Sequence, residues 1–289
     1  MQVVISILFD GLAYGMMLFV IAVGLSVTMG LMGFVNLAHG AFAMLGGYVT
    51  VSAMSALGLP FPLALVLAFV TVAAGAVVLE RVLYARLYEA GELDQVMLTI
   101  GLVFMATAAV TFVYGPAPVP VQLPGWLKGQ IDLGFRAFPT YRVVLIGVGL
   151  LFMALLWLVF ERTLLGAQIR AAVDNRRMAQ SVGINVDRLF TLTFAFGSGM
   201  AALGGGLAVD IVGLSPTFAI QYLVLFLIVV AVGGMGNLAG AFLAALILGF
   251  LDNAGKYLWP EGGGFFIYVL TVVLLLARPE GLLARSRRG

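Results

Sequence analysis

The chain has 289 residues, 63% of them hydrophobic and 10% charged, a composition that excludes a soluble globular protein. No polar stretch is long enough for a separate catalytic or nucleotide-binding module, so residues 1–289 read as a single all-α transmembrane domain, a bundle of about eight or nine spans of about twenty residues each. The absence of cysteine excludes a disulfide scaffold and a thiolate metal site, and a net charge of +2 is too small to argue for a nucleic-acid partner.

Residues 3–31 form the first apolar segment, interrupted by Asp10, Gly11 and Gly15. No polar, small-residue cleavage region follows its apolar core, so it reads as a retained span. Gly11 and Gly15 are four apart and share a face where another helix can come close. Asp10 reads as an interfacial residue or as part of a polar path inside the bundle. Gly33, Phe34, Val35, Asn36, Leu37, Ala38, His39 and Gly40 then break the apolar run. Backbone groups freed at membrane depth need protein or a water-lined cavity to satisfy them, which makes Asn36 and His39 candidates for a translocation path. His39 is the sole histidine and cannot build a metal site. It reads either as a donor to backbone carbonyls of the broken turn or as a pathway residue.

Residues 41–57 make the second span, and Gly58, Pro60 and Pro62 turn it back into 62–83, which ends in Glu80 and Arg81. Arg81 and Arg86, with Glu89, Glu92 and Asp94, form a charged loop of mixed sign that reads as a hydrated connection. A span over 95–114 leads to 115–141, where Pro116, Pro118, Pro120 and Pro124 preclude regular helix and Pro139 follows. By span parity this loop is external, a cap of short strands and aromatic anchors.

Residues 142–160 cross back and enter Glu161–Arg188. This segment holds Arg162, Arg170, Arg176, Arg177 and Arg188, five of the 15 basic residues, and so marks the cytoplasmic side. Between Gly166 and Gly183, Ala167, Ile169, Ala171, Ala172, Met178, Ala179 and Val182 alternate with polar residues, as a short helix lying along the surface requires. A solvated basic loop is the alternative. Residues 189–212 return with Gly197, Ala201 and Gly205 at four-residue spacing, beside Ser198, Ala202 and Gly206. Such stripes let helices pack closely, against this chain or against a partner.

Residues 218–232 are apolar. Gly233, Gly234, Met235, Gly236 and Asn237 then make a second break, and Asn237 joins the pathway candidates. The sequence Asn237 to Phe242 echoes Asn36 to Phe42 with the histidine deleted, as two broken helices from related halves would give. Asp252 and Lys256 form a helical pair near the outer end of the next helix. A final span, 264–277, closes on Arg278, Pro279, Glu280, Gly281 and Leu282. Of the 15 cations, eleven fall on the Arg176 side and four (Lys128, Arg136, Arg142 and Lys256) on the other. That bias places the C-terminus in the cytoplasm.

Three stretches carry a family likeness: Glu161, Arg162, Gly166, Arg170, Ala171, Gly183, Ile184, Asn185, Val186 and Asp187; the Asn36–Gly40 break; and the Gly233–Gly236 break with the Arg278–Leu282 ending. Together they resemble the permease subunits of bacterial branched-chain amino-acid ABC importers, over nearly the whole chain. The likeness fits the shorter of the two permeases of such an importer. It implies a multi-pass protein of the inner membrane that works with a second permease subunit, two cytoplasmic ATPase subunits and an external substrate-binding protein. That binding protein would dock near residues 115–141. The same likeness makes 161–188 the coupling helix that docks on the ATPase, with Arg162, Arg170, Asp174, Arg176, Arg177, Gly183, Asn185 and Asp187 as contact residues. It implies no cofactor bound by this chain, ATP being used by the partner ATPases.

The expected function is therefore to move a branched-chain-type amino acid or related small solute into the cytoplasm. Urea, amides or small carboxylates are alternative cargoes of the same family. An ion-coupled secondary transporter would need buried ion sites, and only Asp10, Asp210 and Asp252 lie in or near apolar segments. An intramembrane enzyme would need a nucleophile and base, or metal ligands, that one histidine and no cysteine do not supply. No Gly-rich phosphate loop of the G-x-x-x-x-G-K-[ST] type is present, so the chain does not bind ATP by itself.

Overall fold

The computed structural model describes residues 2–33, 36–88, 90–132, 137–279 and 281–283. Phe34, Val35, Glu89, Arg136, Glu280, Arg285, Arg287 and Arg288 lie outside the described residues. Eleven α-helices are present among those described: α1 Gln2–Met32, α2 His39–Leu57, α3 Phe61–Val82, α4 Glu92–Tyr114, α5 Thr140–Arg162, α6 Leu164–Asp174, α7 Arg176–Ser181, α8 Val186–Ala208, α9 Phe218–Gly233, α10 Leu238–Leu258 and α11 Gly263–Ala277. Seven of them (α1–α5, α8 and α10) are long and apolar enough to cross a membrane. At 31 residues α1 is roughly 46 Å long, well over the ~30 Å hydrocarbon thickness. The 16-residue α9 and 15-residue α11 are apolar but fall short of that thickness. The expected eight or nine spans thus resolve into seven long crossings and two short apolar helices.

Helix α8 is the axis of the fold, and its small residues explain why. Every residue from Gly197 to Ala208 is buried. A Cβ on Gly197 would lie 2.7 Å from the Gly24 carbonyl oxygen of α1, and one on Gly205 would lie 1.8 Å from the Ala43 carbonyl oxygen of α2. Added to Gly199, it would meet the Phe69 ring of α3 at 2.8 Å. The Gly197, Ala201, Gly205 stripe is therefore spent on helices of this chain, leaving none of it for a second subunit. In lipid, where apolar surface gains little by leaving solvent, such backbone approach supplies the association energy.

Helix α1 makes a second seam of the same kind with α10, antiparallel to it. A Cβ on Gly15 would meet the Ala245 carbonyl at 2.8 Å, and one on Gly30 would meet Gly236 Cα at 2.3 Å. Gly11 faces Phe250 in the same seam, so both glycines of the first segment are close-approach sites. Helices α3, α4 and α5 turn long apolar side chains outward, including Val70, Phe104 and Leu151.

The two ends of the bundle differ in chemistry. At one end lie α6 and α7, the last turns of α3 and α5, and the first turn of α8; Arg81, Arg162, Arg170, Arg176, Arg177 and Arg188 sit here. At the opposite end, residues 115–139 form a cap. It holds a 3-10 turn at Gly125–Leu127 and a two-stranded antiparallel ribbon, β1 Gln130–Asp132 with β2 Ala137–Pro139. The cap is packed down: Leu123, Leu127 and Phe138 are buried, Phe138 lies 4.1 Å from Phe9 between ring centres, and Val119 N–H donates to the Leu214 carbonyl at 2.9 Å.

The α8 seam gives a paired prediction. Gly205→Ala must push α2 from α8, because backbone stands where its Cβ would go. Gly101→Ala on α4 meets nothing within 4 Å and should be neutral or gain about 0.5–1 kcal/mol from helix propensity. Heating detergent-solubilised protein and following the monodisperse fraction should therefore show a large loss for the first variant only.

Candidate functional site

The arginine-rich end is built on a small apolar cluster. Leu31 from α1, Ile169 and Ala172 from α6, Ala179 from α7, and Val186, Leu189 and Phe190 from α8 pack together there. The segment 161–188 is two helices, not the single short helix its sequence suggests. Asn175 separates them, because its extended backbone ends α6 while its Oδ1 accepts from Met178 N–H at 3.0 Å and caps α7. Thr163 caps α6 and Asn185 caps α8 in the same way. Gly183, at φ +87°, makes the turn out of α7, a conformation that costs a residue with a Cβ.

The predicted contact residues divide into two groups. Arg162 lies over the Trp157 ring at 5.4 Å, and Arg170 donates to the Phe160 carbonyl and stands 3.8 Å from Glu161. Arg176 pairs with Asp187 at 3.2 Å and lies over the Phe190 ring at 4.9 Å. Arg170 and Arg176 hold the two surface helices to α5 and α8, whereas Arg162 packs along its own helix, α5. Asp174 and Arg177 are exposed. The apolar residues assigned to a helix face also divide, since Ile169, Ala172 and Ala179 point inward whereas Met178 and Val182 point out at 66% and 76% exposure. Leu164 joins them at 83%.

Beneath α7 lies a feature the sequence did not disclose. Glu80, which the sequence places at the end of the 62–83 segment with no role, is only 3% exposed. Its carboxylate accepts from Tyr88 O–H at 2.5 Å and from Thr191 Oγ1–H at 2.8 Å. Burial and this carboxylate hold Tyr88 well above the usual phenol range, so it stays a neutral donor. Around them Arg81, Arg86, Arg176, Asp187 and Arg188 line a cavity of about 620 Å³. A Glu closing an apolar segment was the available signal; its burial depends on α8 folding over it.

The residues of the two breaks act as caps. Asn36 is buried, and its Oδ1 accepts from Ala38 N–H at 3.1 Å and Tyr84 O–H at 3.0 Å. Asn237 is half-buried; its Oδ1 caps α10 through Gly240 N–H at 2.9 Å and its Nδ2 donates to the Leu283 carbonyl at 2.7 Å. The breaks adjoin through the last turns of α1, where Gly236 N–H donates to the Ser26 carbonyl at 3.1 Å. They sit toward the arginine-rich end, not at the centre. His39 is fully enclosed in the first turn of α2, and its Nε2 lies 2.8 Å from the Ile21 carbonyl in mid-α1, outside the broken turn.

At the opposite end, Asp10 on α1 pairs with Arg142 on α5. Asp252 on α10, expected in a surface pair, is 4% exposed and holds Lys256 Nζ at 2.5 Å. The pair borders a second cavity of about 670 Å³ between the outer ends of α1, α5, α9, α10 and α11.

Comparison with known proteins bears on this arrangement. A family model described as "Branched-chain amino acid transport system / permease component" matches residues 7–275. The chain is similar to the high-affinity branched-chain amino acid transport system permease protein LivH of Escherichia coli strain K12. The two are 29% identical, and the match covers 96% of this chain and 94% of that one. BraD of Pseudomonas aeruginosa, of the same description, is 27% identical over 96% and 95% of the two chains. Among solved structures, PsaBC from Streptococcus pneumoniae in complex with Fab has the same overall fold, with a TM-score of 0.51 at 17% identity, covering 96% of this chain and 92% of that one.

The Glu80 network is testable by removing its charge alone. Glu80→Gln keeps the shape but turns one acceptor into a donor facing Tyr88 or Thr191. It should cost about 1–3 kcal/mol of stability, the penalty of an unsatisfied buried polar group. Tyr88→Phe combined with Glu80→Gln should cost less than the sum of the two, and thermal unfolding of the purified variants measures the cycle.

Proposed function

The chain belongs to the family of permease components of branched-chain amino acid transport systems, and from that premise we propose that it forms half of the membrane path of an ATP-driven importer. Its cargo is a branched-chain-type amino acid or a related small solute. Its relatives are transport permeases rather than enzymes, and seven long apolar helices fit a multi-pass inner-membrane protein. The excess of arginine at the α6–α7 end makes that end cytoplasmic, which also puts the C-terminus inside.

The observation that carries this reading is the outer face of α6 and α7. Leu164, Met178 and Val182 stand exposed there, beside Arg177, on helices that lie outside the spans and so outside the lipid. Apolar side chains gathered at a polar surface are the mark of a docking face. The occupant is the ATPase, two copies of which serve this chain and a second permease subunit. ATP binding and hydrolysis there move α6 and α7, and Arg170, Arg176 and the Glu80 network transfer the displacement to α5, α3 and α8. An external binding protein delivers the solute against the cap at 115–139.

Ion coupling has less support from the carboxylates themselves. Asp10 and Asp252 each already hold a cation, and a site that loads and releases a proton or sodium ion needs a carboxylate that can change partners.

Arg176 is held inside the fold by Asp187 and Phe190, so a clean test leaves it intact. Arg177→Glu together with Met178→Asp should abolish solute-stimulated ATP hydrolysis by the assembled transporter, a loss of about tenfold or more if roughly 1.4 kcal/mol of contact is removed. The amount of permease in the membrane should not change. Normal stimulation in that double variant would overturn the docking assignment.

A further inference from the structure

The cavity at the opposite end from α6 and α7 has a chemistry the fold itself does not need. Asp252 is buried in α10, six residues before the helix ends. Its partner Lys256 reaches the surface at 56% exposure, so the carboxylate alone carries the desolvation, a cost that its attraction to the lysine only partly offsets. Charge placed inside a membrane helix therefore points to a ligand or a path. Around this carboxylate the cavity is lined by Lys256, Arg142 and Glu261, which gives two cations and two anions.

We propose that this cavity binds the transported solute as a zwitterion, an α-amino acid with an apolar side chain. The proposal rests on the reading of the chain as an amino-acid permease and assigns the site within it. Asp252 meets Lys256 through Oδ2, leaving Oδ1 to accept from the ligand ammonium. Lys256 uses one of its three N–H donors on Asp252, and its ammonium lies 5.4 Å from the Tyr14 ring centre, which fixes its direction. The donors it retains receive the ligand carboxylate, with Arg142 beside them, whose guanidinium is paired through Nη1 with Asp10 and has its other N–H groups left for the ligand.

A zwitterion satisfies both signs of the lining at once. A simple anion or cation would answer only one of the two signs, leaving the other to the Asp252–Lys256 pair alone. The opposite wall is apolar: Ile211, Val212, Leu225, Phe265 and Ile267 border the same space, as a branched hydrocarbon side chain requires. A volume of about 670 Å³ is within the ~300–1,000 Å³ of small-molecule sites and excludes a folded partner. Its position between the outer helix ends, at the end of the bundle that carries the 115–139 cap, suits a solute handed over from outside.

The test uses the complete transporter, purified without its binding protein, and tritiated L-leucine as probe. Two analogues compete: 4-methylpentanoate, which lacks the ammonium, and isopentylamine, which lacks the carboxylate. The wild type should bind leucine and reject both. Asp252→Asn should lower leucine affinity about tenfold or more and lose its discrimination against 4-methylpentanoate. Lys256→Gln should lose its discrimination against isopentylamine. General damage to the fold does not exchange one selectivity for another.

A third variant guards against misfolding. No heavy atom lies within 4 Å of a Cβ on Gly264, which borders the cavity, so the side chain of Gly264→Leu starts into open space. It too should weaken leucine binding. If the wild-type transporter neither binds nor transports leucine, the amino-acid reading of the permease fails. If it transports leucine while Asp252→Asn, Lys256→Gln and Gly264→Leu all keep its affinity and selectivity, the cavity is not the site.

Discussion

Close approach of backbone to backbone is the constraint from which the rest of this structure follows. Helix α8 meets α1, α2 and α3 through Gly197, Gly199, Gly205 and their neighbours, at separations that leave no room for a methyl group. Lipid supplies no hydrophobic drive to hold helices together, so dispersion and interhelical hydrogen bonds must. Both improve as backbones approach. Tyr141 of α5, for example, donates its O–H to the Leu207 carbonyl of α8 at 2.5 Å. Larger residues on the stripe would forfeit contacts with three neighbours, which is why three helices of different sequence are fixed around one.

A bundle held this way concentrates its polar groups where helices end or break, and each is satisfied locally. Asn36 and Asn237 cap the two breaks, so the freed N–H groups cost little at depth. His39 spends its ring on a carbonyl of α1. Glu80 is the larger expense, a carboxylate almost without solvent, and it is held by two hydroxyl donors in a ring of arginines. Such a group is well placed only while α3, α8 and the turn at Tyr88 keep their relative positions. It therefore ties the foot of the bundle to the helices above it.

Much of this was legible in the sequence because membrane helices announce themselves by composition. The spans, both breaks, the small-residue stripe of α8 and the arginine-rich surface segment all follow from runs of apolar residues, glycine spacing and charge. The reading stopped where an outcome depended on a neighbour in space. Asn175 splits the surface segment because its side chain finds Met178 N–H, and an asparagine within a polar helix does not declare that. Glu80 looks like any charge at the end of a span until α8 covers it. Asp252 and Lys256 look like an exposed pair at four-residue spacing until α1, α9 and α11 close around the carboxylate. The stripe itself was visible, but whether it met this chain or another was not, since close packing looks the same from either side.

The placement of the charged cavity raises the question of which helix can carry a movement to it. Helix α8 touches three neighbours backbone to backbone, and any change in those distances loses contact along each seam. It moves with α1, α2 and α3 or not at all. Helix α10 is held to α1 by the seam through Gly11, Gly15 and Gly249 and moves with it. Its first turn stands on the Asn237 cap, bonded to the Leu283 carbonyl, and the Gly236 turn before it is bonded to Ser26. Gly234 and Gly236 both have positive φ there, at 92° and 73°, a pair of torsions that glycine can alter at low cost. From that turn a helix of 21 residues, roughly 30 Å of stiff rod, runs to Asp252 and Lys256. Asp252 and Lys256 both stand on this rod, so the pair moves as one body. What a displacement of the rod changes is the distance from that pair to Arg142 on α5 and to Glu261 ahead of α11, across the cavity.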